Sequence, residues 1–323
     1  MDFNKEALKI NPEKEADRLC DFIRDEVYKV FRRKGIVVGI SGGIDSAVIV
    51  SLSVMALGKD KVVGLILPER ESNPVSSQYA AKHAEALDIE YRTIDISKTV
   101  DSIGGYSARD EFIKKLIPEY TKECKYNISL PVDLLDRAAF NFYVLRVLLP
   151  DGEIIKKRMN TNEFRAITAF ANTKIRARML HLYYEAERRN LIVAGTTNRT
   201  EMILGDFCKY GDGGTDIEPL SYLYKDQIYQ LADHLNVIPE IKERTPSPDT
   251  FSLPVSDQEF FFRIPFDKLD LLLYAWEHDV SAEETAEVVG IDKEAVNRAF
   301  KDFESKNRTT AHLREMPHTL TDE

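Results

Sequence analysis

Six residues, Ser41-Gly42-Gly43-Ile44-Asp45-Ser46, lie directly between a short β-branched run and an almost wholly apolar one, and they constrain this chain more than any other feature. Upstream, Gly35 to Ile40 is predicted as a buried strand; downstream, Asp45 to Leu57, ending at Gly58, is predicted as a buried helix. Paired glycines and serines at such a junction gather free backbone N–H groups and hydroxyls at a helix N-terminus, where the helix dipole favours a phosphate. Asp45 makes sense beside that anion site when a divalent cation bridges its carboxylate to the phosphates, through the oxygen ligands magnesium prefers.

The flanking segments repeat the alternation. Val62 to Leu67 and Tyr91 to Ile96 are strand-like, Ser76 to Leu87 is helical, and a helical stretch from Glu13 to Arg33 opens the chain. Strand, helix, strand, helix, strand implies an α/β fold with a doubly wound parallel sheet. Phe164 to Asn190 is predicted as a long helix leading into one more central strand, Leu191 to Gly195. Between the two sheet portions, about residues 104–161 show no clear strand pattern; Glu111 to Thr121 and Val132 to Leu149 are predicted as helices of a helical insertion on the sheet's rim. Thr245 to Pro254 clusters proline and serine, which suits a mobile loop, and about residues 266–323 are predicted as a helical tail. With hydrophobic residues at 43%, the 323-residue chain can bury this as one domain.

Charge and cysteine usage exclude several classes. Fifty-four acidic against 44 basic side chains, a net charge of -10, oppose sequence-independent binding to nucleic acid. Cys20, Cys124 and Cys208 are far apart and form no CxxC pair, so neither a disulfide framework nor a zinc site is expected. The polar amino terminus and the lack of a long apolar stretch predict a cytoplasmic protein with no membrane segment.

Further chemistry is concentrated in the second half. Gly195-Thr196-Thr197-Asn198-Arg199-Thr200-Glu201 follows a predicted strand, so Glu201 can offer a second carboxylate to a cation. Lys209-Tyr210-Gly211-Asp212-Gly213-Gly214-Thr215-Asp216 combines a cation, glycines that admit a ligand to the backbone, and the acid Asp212 between them. Leu223-Tyr224-Lys225-Asp226-Gln227 supplies another cation. Arg176 and Arg178, two apart on the long helix, do not share a face, so at most one points into a site; Arg176 is the expected one. Ser281 to Val296 has the outline of a helix-turn-helix, but its second helix opens Asp292-Lys293-Glu294 and its first carries three glutamates, so a packed helical pair is expected rather than a DNA reader.

The Ser41 to Ser46 string resembles the SGG-x-DS loop of the ATP pyrophosphatase superfamily, and with the three later motifs in this order the chain resembles the NAD synthetases, over about residues 15–100 and 165–320. The resemblance implies an adenine nucleotide alpha hydrolase-like fold and a carbon–nitrogen ligase that converts deamido-NAD to NAD. The substrate carboxylate would attack the α-phosphate of ATP, and ammonia would then displace AMP from the acyl adenylate. It implies ATP contacts from Ser41, Gly42, Gly43, Ser46, Arg176, Thr196, Lys225 and Ser247, with magnesium on Asp45 and Glu201. It implies catalytic roles for Asp45, Asp212 at the ammonia site and Lys225, substrate contacts from Lys209, Asp216, His312 and Arg314, and a homodimer. Leu313 stands where many relatives have lysine, a charge that Arg314, Lys174 or Arg146 could replace. No cysteine is set up as a glutaminase nucleophile, so nitrogen comes from free ammonia or a separate glutaminase. The alternatives are a paralogous enzyme amidating another carboxylate and a DNA-binding regulator using the helix-turn-helix-like segment.

Overall fold

The computed structural model describes residues 3–130, 134–136 and 142–320. Helix α1 (Pro12–Asp25) opens it, started by Pro12 and by the Asn11 side chain, which accepts the Lys14 N–H at 3.0 Å. Strand β1 (Ile36–Gly39), α2 (Ile44–Leu57), β2 (Val62–Ile66), α3 (Pro74–Ala86) and β3 (Glu90–Thr93) follow in the predicted alternation. Short α4 (Ser97–Ser102) and α5 (Gly105–Leu116) lead to β4 (Lys125–Ser129), β5 (Val144–Leu148) and β6 (Ile154–Arg158). The 29-residue α6 (Thr161–Arg189) then returns the chain to β7 (Ile192–Ala194). Beyond it come α7 (Arg199–Leu204), α8 (Lys225–His234), α9 (Pro239–Lys242), α10 (Phe266–Glu277), α11 (Ala282–Val289), α12 (Lys293–Thr309) and α13 (Ala311–Arg314).

The main sheet has the order β3-β2-β1-β7, every pairing parallel. β1 is buried on both faces: Ile36, Val38 and Ile40 join the core formed with α1, α2 and α8, while Val37 joins Phe170, Ala177 and Ala186 of α6 on the other side. Burial on both faces is why this strand reads as an unbroken apolar run instead of an alternation. From β1 the chain winds outward through β2 to β3, then crosses back to place β7 on the opposite side of β1. The direction of winding therefore reverses between β1 and β7, and the crevice outside the carboxyl ends of these two strands is where open α/β sheets bind ligands.

The insertion departs from expectation. A helix is present, Gly105–Leu116, but β4, β5 and β6 form a second, antiparallel sheet in the order β4-β5-β6, and residues 144–148 of the expected Val132 to Leu149 helix are a strand. Residues 132–133 and 137–141 of that stretch lie outside the described residues. Val144-Leu145-Arg146-Val147-Leu148 has the period-two pattern of a strand, with Leu145 and Val147 buried, and five residues are too few to separate it from a helical face. The tail is helical as expected. The helix-turn-helix outline is α11, Gly290 at φ 72° and α12, and its apolar positions Ala295, Val296, Ala299 and Phe303 are buried against Leu269, Leu272 and Leu273 of α10. The pair is core. Among the described residues no helix is long and apolar enough to cross a membrane.

Candidate functional site

No side chain caps the N-terminus of α2; Gly43 is its cap residue, and the preceding turn is tied to itself. The Ser46 hydroxyl accepts from the Ser41 N–H at 3.2 Å and donates to the Gly43 carbonyl at 2.9 Å, and the Ser41 hydroxyl accepts the Gly43 N–H at 3.1 Å. Gly42 packs against the start of α3: a Cβ there would lie 2.2 Å from the Ser76 carbonyl oxygen, and its φ is +77°. Gly42→Ala is accordingly expected to lower stability by at least about 2 kcal/mol, through the left-handed backbone and the clash together. Chemical denaturation will read this, and an unchanged midpoint would show that the turn does not bear on α3.

Across the crevice, β7 feeds α7 as β1 feeds α2. Asn198 caps α7 reciprocally with Glu201: its side-chain oxygen accepts the Glu201 N–H at 3.1 Å, and the Glu201 carboxylate accepts the Asn198 N–H at 3.2 Å. The other end of the same amide donates to Asp45 at 3.0 Å. Lys225, the first residue of α8, donates to Asp45 at 2.6 Å and to Glu201 at 3.4 Å. Three residues 180 and 24 positions apart in sequence thus meet. Burial works against the Lys225 charge, but Asp45 and Glu201 outweigh it and push its pKa above the ordinary lysine value. Burial also lifts the Glu201 carboxyl well above the carboxylate range, against the pull of Lys225 and with the help of Asp45. The charged form of Glu201 is thus disfavoured there, and a bound cation would favour it.

A third acid, Asp257, borders the same small cavity as Glu201 and Lys225; burial raises it to about 6, with Lys225 opposing and Asp45 adding. Among the described residues no set of three or more acidic, histidine or cysteine groups is arranged to hold a metal. A cation here would rest on the carboxylates of Asp45 and Glu201 and on ligand oxygens, the pattern magnesium prefers.

The helical tail braces this cluster. Buried Asp270 of α10 accepts from the Thr200 hydroxyl and from the Asp226 N–H, both at 2.7 Å, so one carboxylate joins the first turns of α7 and α8. Glu277, at the other end of α10, accepts from Arg199 at 3.0 Å and from the Tyr224 hydroxyl at 2.5 Å. Asn198, Asp257 and Asp270 were not picked out from sequence. Only Asn198 had a local signal, the N-x-x-E pattern of a capping box.

The remaining expected residues divide. Lys209 donates to the His312 carbonyl at 2.9 Å, so these two meet. Asp212 is exposed, and its carboxylate accepts the Cys208 N–H at 2.6 Å, closing the glycine turn. Thr196 is half-buried in the loop leaving β7, and Ser247 half-buried in the proline-rich segment. The arginines diverge as their spacing requires: exposed Arg176 donates to the Lys209 carbonyl at 3.2 Å, while Arg178 donates to the Leu67 carbonyl, just past the end of β2, at 3.0 Å. Two expected substrate contacts, Asp216 and Arg314, and the candidate replacement charge Lys174 have partners within the protein. Asp216 accepts from the Val193 N–H and from the Tyr183 hydroxyl, Arg314 donates to the Met202 and Ile203 carbonyls, and Lys174 is fully buried. Arg146, on β5, lies 3.9 Å from Glu259.

The open helix N-terminus at the switch point, faced by a buried lysine and two carboxylates, has the geometry of a ligand crevice in an α/β protein. A sequence profile of the NAD synthase family matches residues 15–128 and 148–317. The chain belongs to the NAD synthase family, whose members are ligases. It is 39% identical to the NH(3)-dependent NAD(+) synthetase of Mesorhizobium japonicum over 96% of this chain and 97% of that one. Among solved structures, NMN synthetase from Francisella tularensis matches with a TM-score of 0.67 at 23% identity, over 97% of this chain and all (100%) of that one. The NH3-dependent NAD synthetase from Campylobacter jejuni, in complex with the nitrate ion, matches with a TM-score of 0.62 at 24% identity, over the same 97% and 100%. At these identities the two structures speak for the fold.

Proposed function

We propose that this chain amidates deamido-NAD to NAD with ATP and ammonia, through an acyl adenylate, releasing AMP and pyrophosphate. The observation that carries the reading is the convergence of Lys225, Asp45 and Glu201 on the open N-terminus of α2, in a chain of this family. The turn from Ser41 to Ser46 would cradle the phosphates with its N–H groups and hydroxyls, and Lys225 would offset their charge. Asp45 and Glu201 fit a magnesium ion, which when bound supplies charge neutralisation at the phosphates. Asp212 and Lys209 frame the glycine turn where ammonia would enter, and Arg178 joins Arg176 as a candidate nucleotide contact because it reaches the carboxyl end of β2.

The chain would work as a single domain, as a homodimer and in a reducing cytoplasm. Leu180 and Tyr184, 58% and 65% exposed on one stripe of α6, support a partner copy there, and three buried, separate cysteines suit the compartment. The relatives' names give ammonia as donor, so no separate glutaminase is needed.

Purified chain with deamido-NAD, ATP and magnesium is expected to release AMP and form amide when given ammonium, and to do neither when given ammonia-free glutamine. Amide from glutamine would overturn the choice of donor. Nicotinic acid mononucleotide or another carboxylate turning over in place of deamido-NAD would overturn the acyl substrate.

A further inference from the structure

Lys174 of α6 has 0% exposure, and its ammonium spends all three protons on protein oxygens: Glu69 at 2.9 Å, Glu71 at 2.6 Å and the Thr250 carbonyl at 3.0 Å. The two glutamates lie in the loop leaving β2, and Thr250 lies in the proline-rich segment, which has no regular structure. Glu71 is shared with Arg109 of α5, at 2.7 Å, and the Tyr106 hydroxyl of the same helix donates to Glu69. One buried cation therefore joins the insertion, the loop at the carboxyl end of β2 and a segment that has no ladder of its own.

That segment reaches the phosphate-type turn. Asp249 accepts the Asn73 N–H at 3.1 Å and the Ser76 hydroxyl at 2.7 Å, and the Ser76 carbonyl is the group against which Gly42 packs. Ser247 lies two residues before Asp249. A buried lysine is a costly way to hold a fold together, since its desolvation consumes much of what its ion pairs return. What it supplies here that an apolar residue would not is a hydrogen bond to a main-chain carbonyl of the segment.

We propose that Lys174 is a positioning residue: it tethers the 245–254 segment to the insertion and so sets the fraction of molecules whose segment is closed on the α2 turn before ATP arrives. The proposal rests on the reading of that turn as the ATP site. Loss of the tether lowers the closed fraction, and apparent affinity for a ligand that needs the closed form falls in proportion. Chemistry after ATP is bound is untouched, so the effect belongs in KM for ATP and not in kcat.

The test is the full chain carrying Lys174→Met with Glu69→Gln, a charge-balanced pair that leaves Arg109 and Glu71 to each other. KM for ATP should rise about tenfold, with kcat and KM for ammonium within about twofold of wild type. Hydrogen exchange at the Leu253 amide, which bonds the Tyr126 carbonyl at 2.9 Å, should speed up. A cooperatively folded double variant with wild-type KM for ATP overturns the proposal. Should the double variant not fold, Glu71→Gln should raise the same KM about threefold, and no rise overturns it equally. Calorimetric ATP affinities, compared between variant and wild type without acyl substrate, test the tether even if the wild type makes no amide. A wild-type chain that neither binds ATP nor releases pyrophosphate refutes the ATP-site reading instead.

Discussion

Asp45→Asn is expected to reduce pyrophosphate release at least about a thousandfold while the protein stays folded, because loss of one metal-bound carboxylate removes several kcal/mol of transition-state stabilisation. The carboxylate is the meeting point of the crevice, accepting from both Asn198 and Lys225. Asparagine keeps the shape and one acceptor, so no cavity opens, and half-buried Asp45 lies at the surface of the core, outside its packing. The expected signature is a near-wild-type melting curve beside near-absent turnover, with raised magnesium restoring little. A well-folded variant that retains a tenth of the activity would sink the assignment of Asp45 to the cation.

Asp270→Ala should damage both stability and turnover. The Thr200 hydroxyl and the Asp226 N–H would lose their buried acceptor, at about 1–3 kcal/mol each. The first turns of α7 and α8 would also lose the carboxylate that joins them, and those turns carry Glu201 and Lys225. A displacement of about 1 Å in a positioned group costs on the order of a hundredfold in rate, so kcat should fall about that far even well below the melting temperature. Asp270→Asn, which keeps an acceptor for Thr200, should fall between the two. If the alanine variant lost stability but kept full kcat at low temperature, α10 would be packing and nothing more.

The legible parts of this chain were those whose signal is local. The strand, glycine turn and helix from Gly35 to Leu57 can be read because each element's pattern lies within its own residues, and the observed bounds, Ile36–Gly39 and Ile44–Leu57, fall within a residue or two of the reading. Asp45, Glu201 and Lys225 were found through motifs, and the fold brings them together. What stayed hidden depends on partners far along the chain. Nothing in the sequence around Asp270 says that its acceptors serve residues 70 and 44 positions away. Lys174 reads as an available cation until α6 is packed, when burial commits it to Glu69 and Glu71. For Arg176 and Arg178 the spacing separates their faces without saying that Arg178 is the one lying against the sheet. In the insertion, short strands with half-buried alternate positions gave a pattern that helices share.

The β4 edge of the insertion's antiparallel sheet is closed by residues from far along the chain. The outer side of β4 is covered by the later segment, with the Ser252 hydroxyl accepting the Tyr126 N–H at 2.9 Å and the Leu130 N–H reaching the Glu259 carbonyl at 2.8 Å. Tyr126 and Ser252 are 126 residues apart, so at ribosomal rates of about 5–20 residues per second the covering segment emerges on the order of ten seconds after β4. Throughout that interval a nascent chain presents an unpaired edge, the surface along which strands recruit one another. Synthesis thus has a vulnerable window with a definite end, the emergence of residues 252–259, and nascent chains stalled before that point are the ones a holding chaperone must shield.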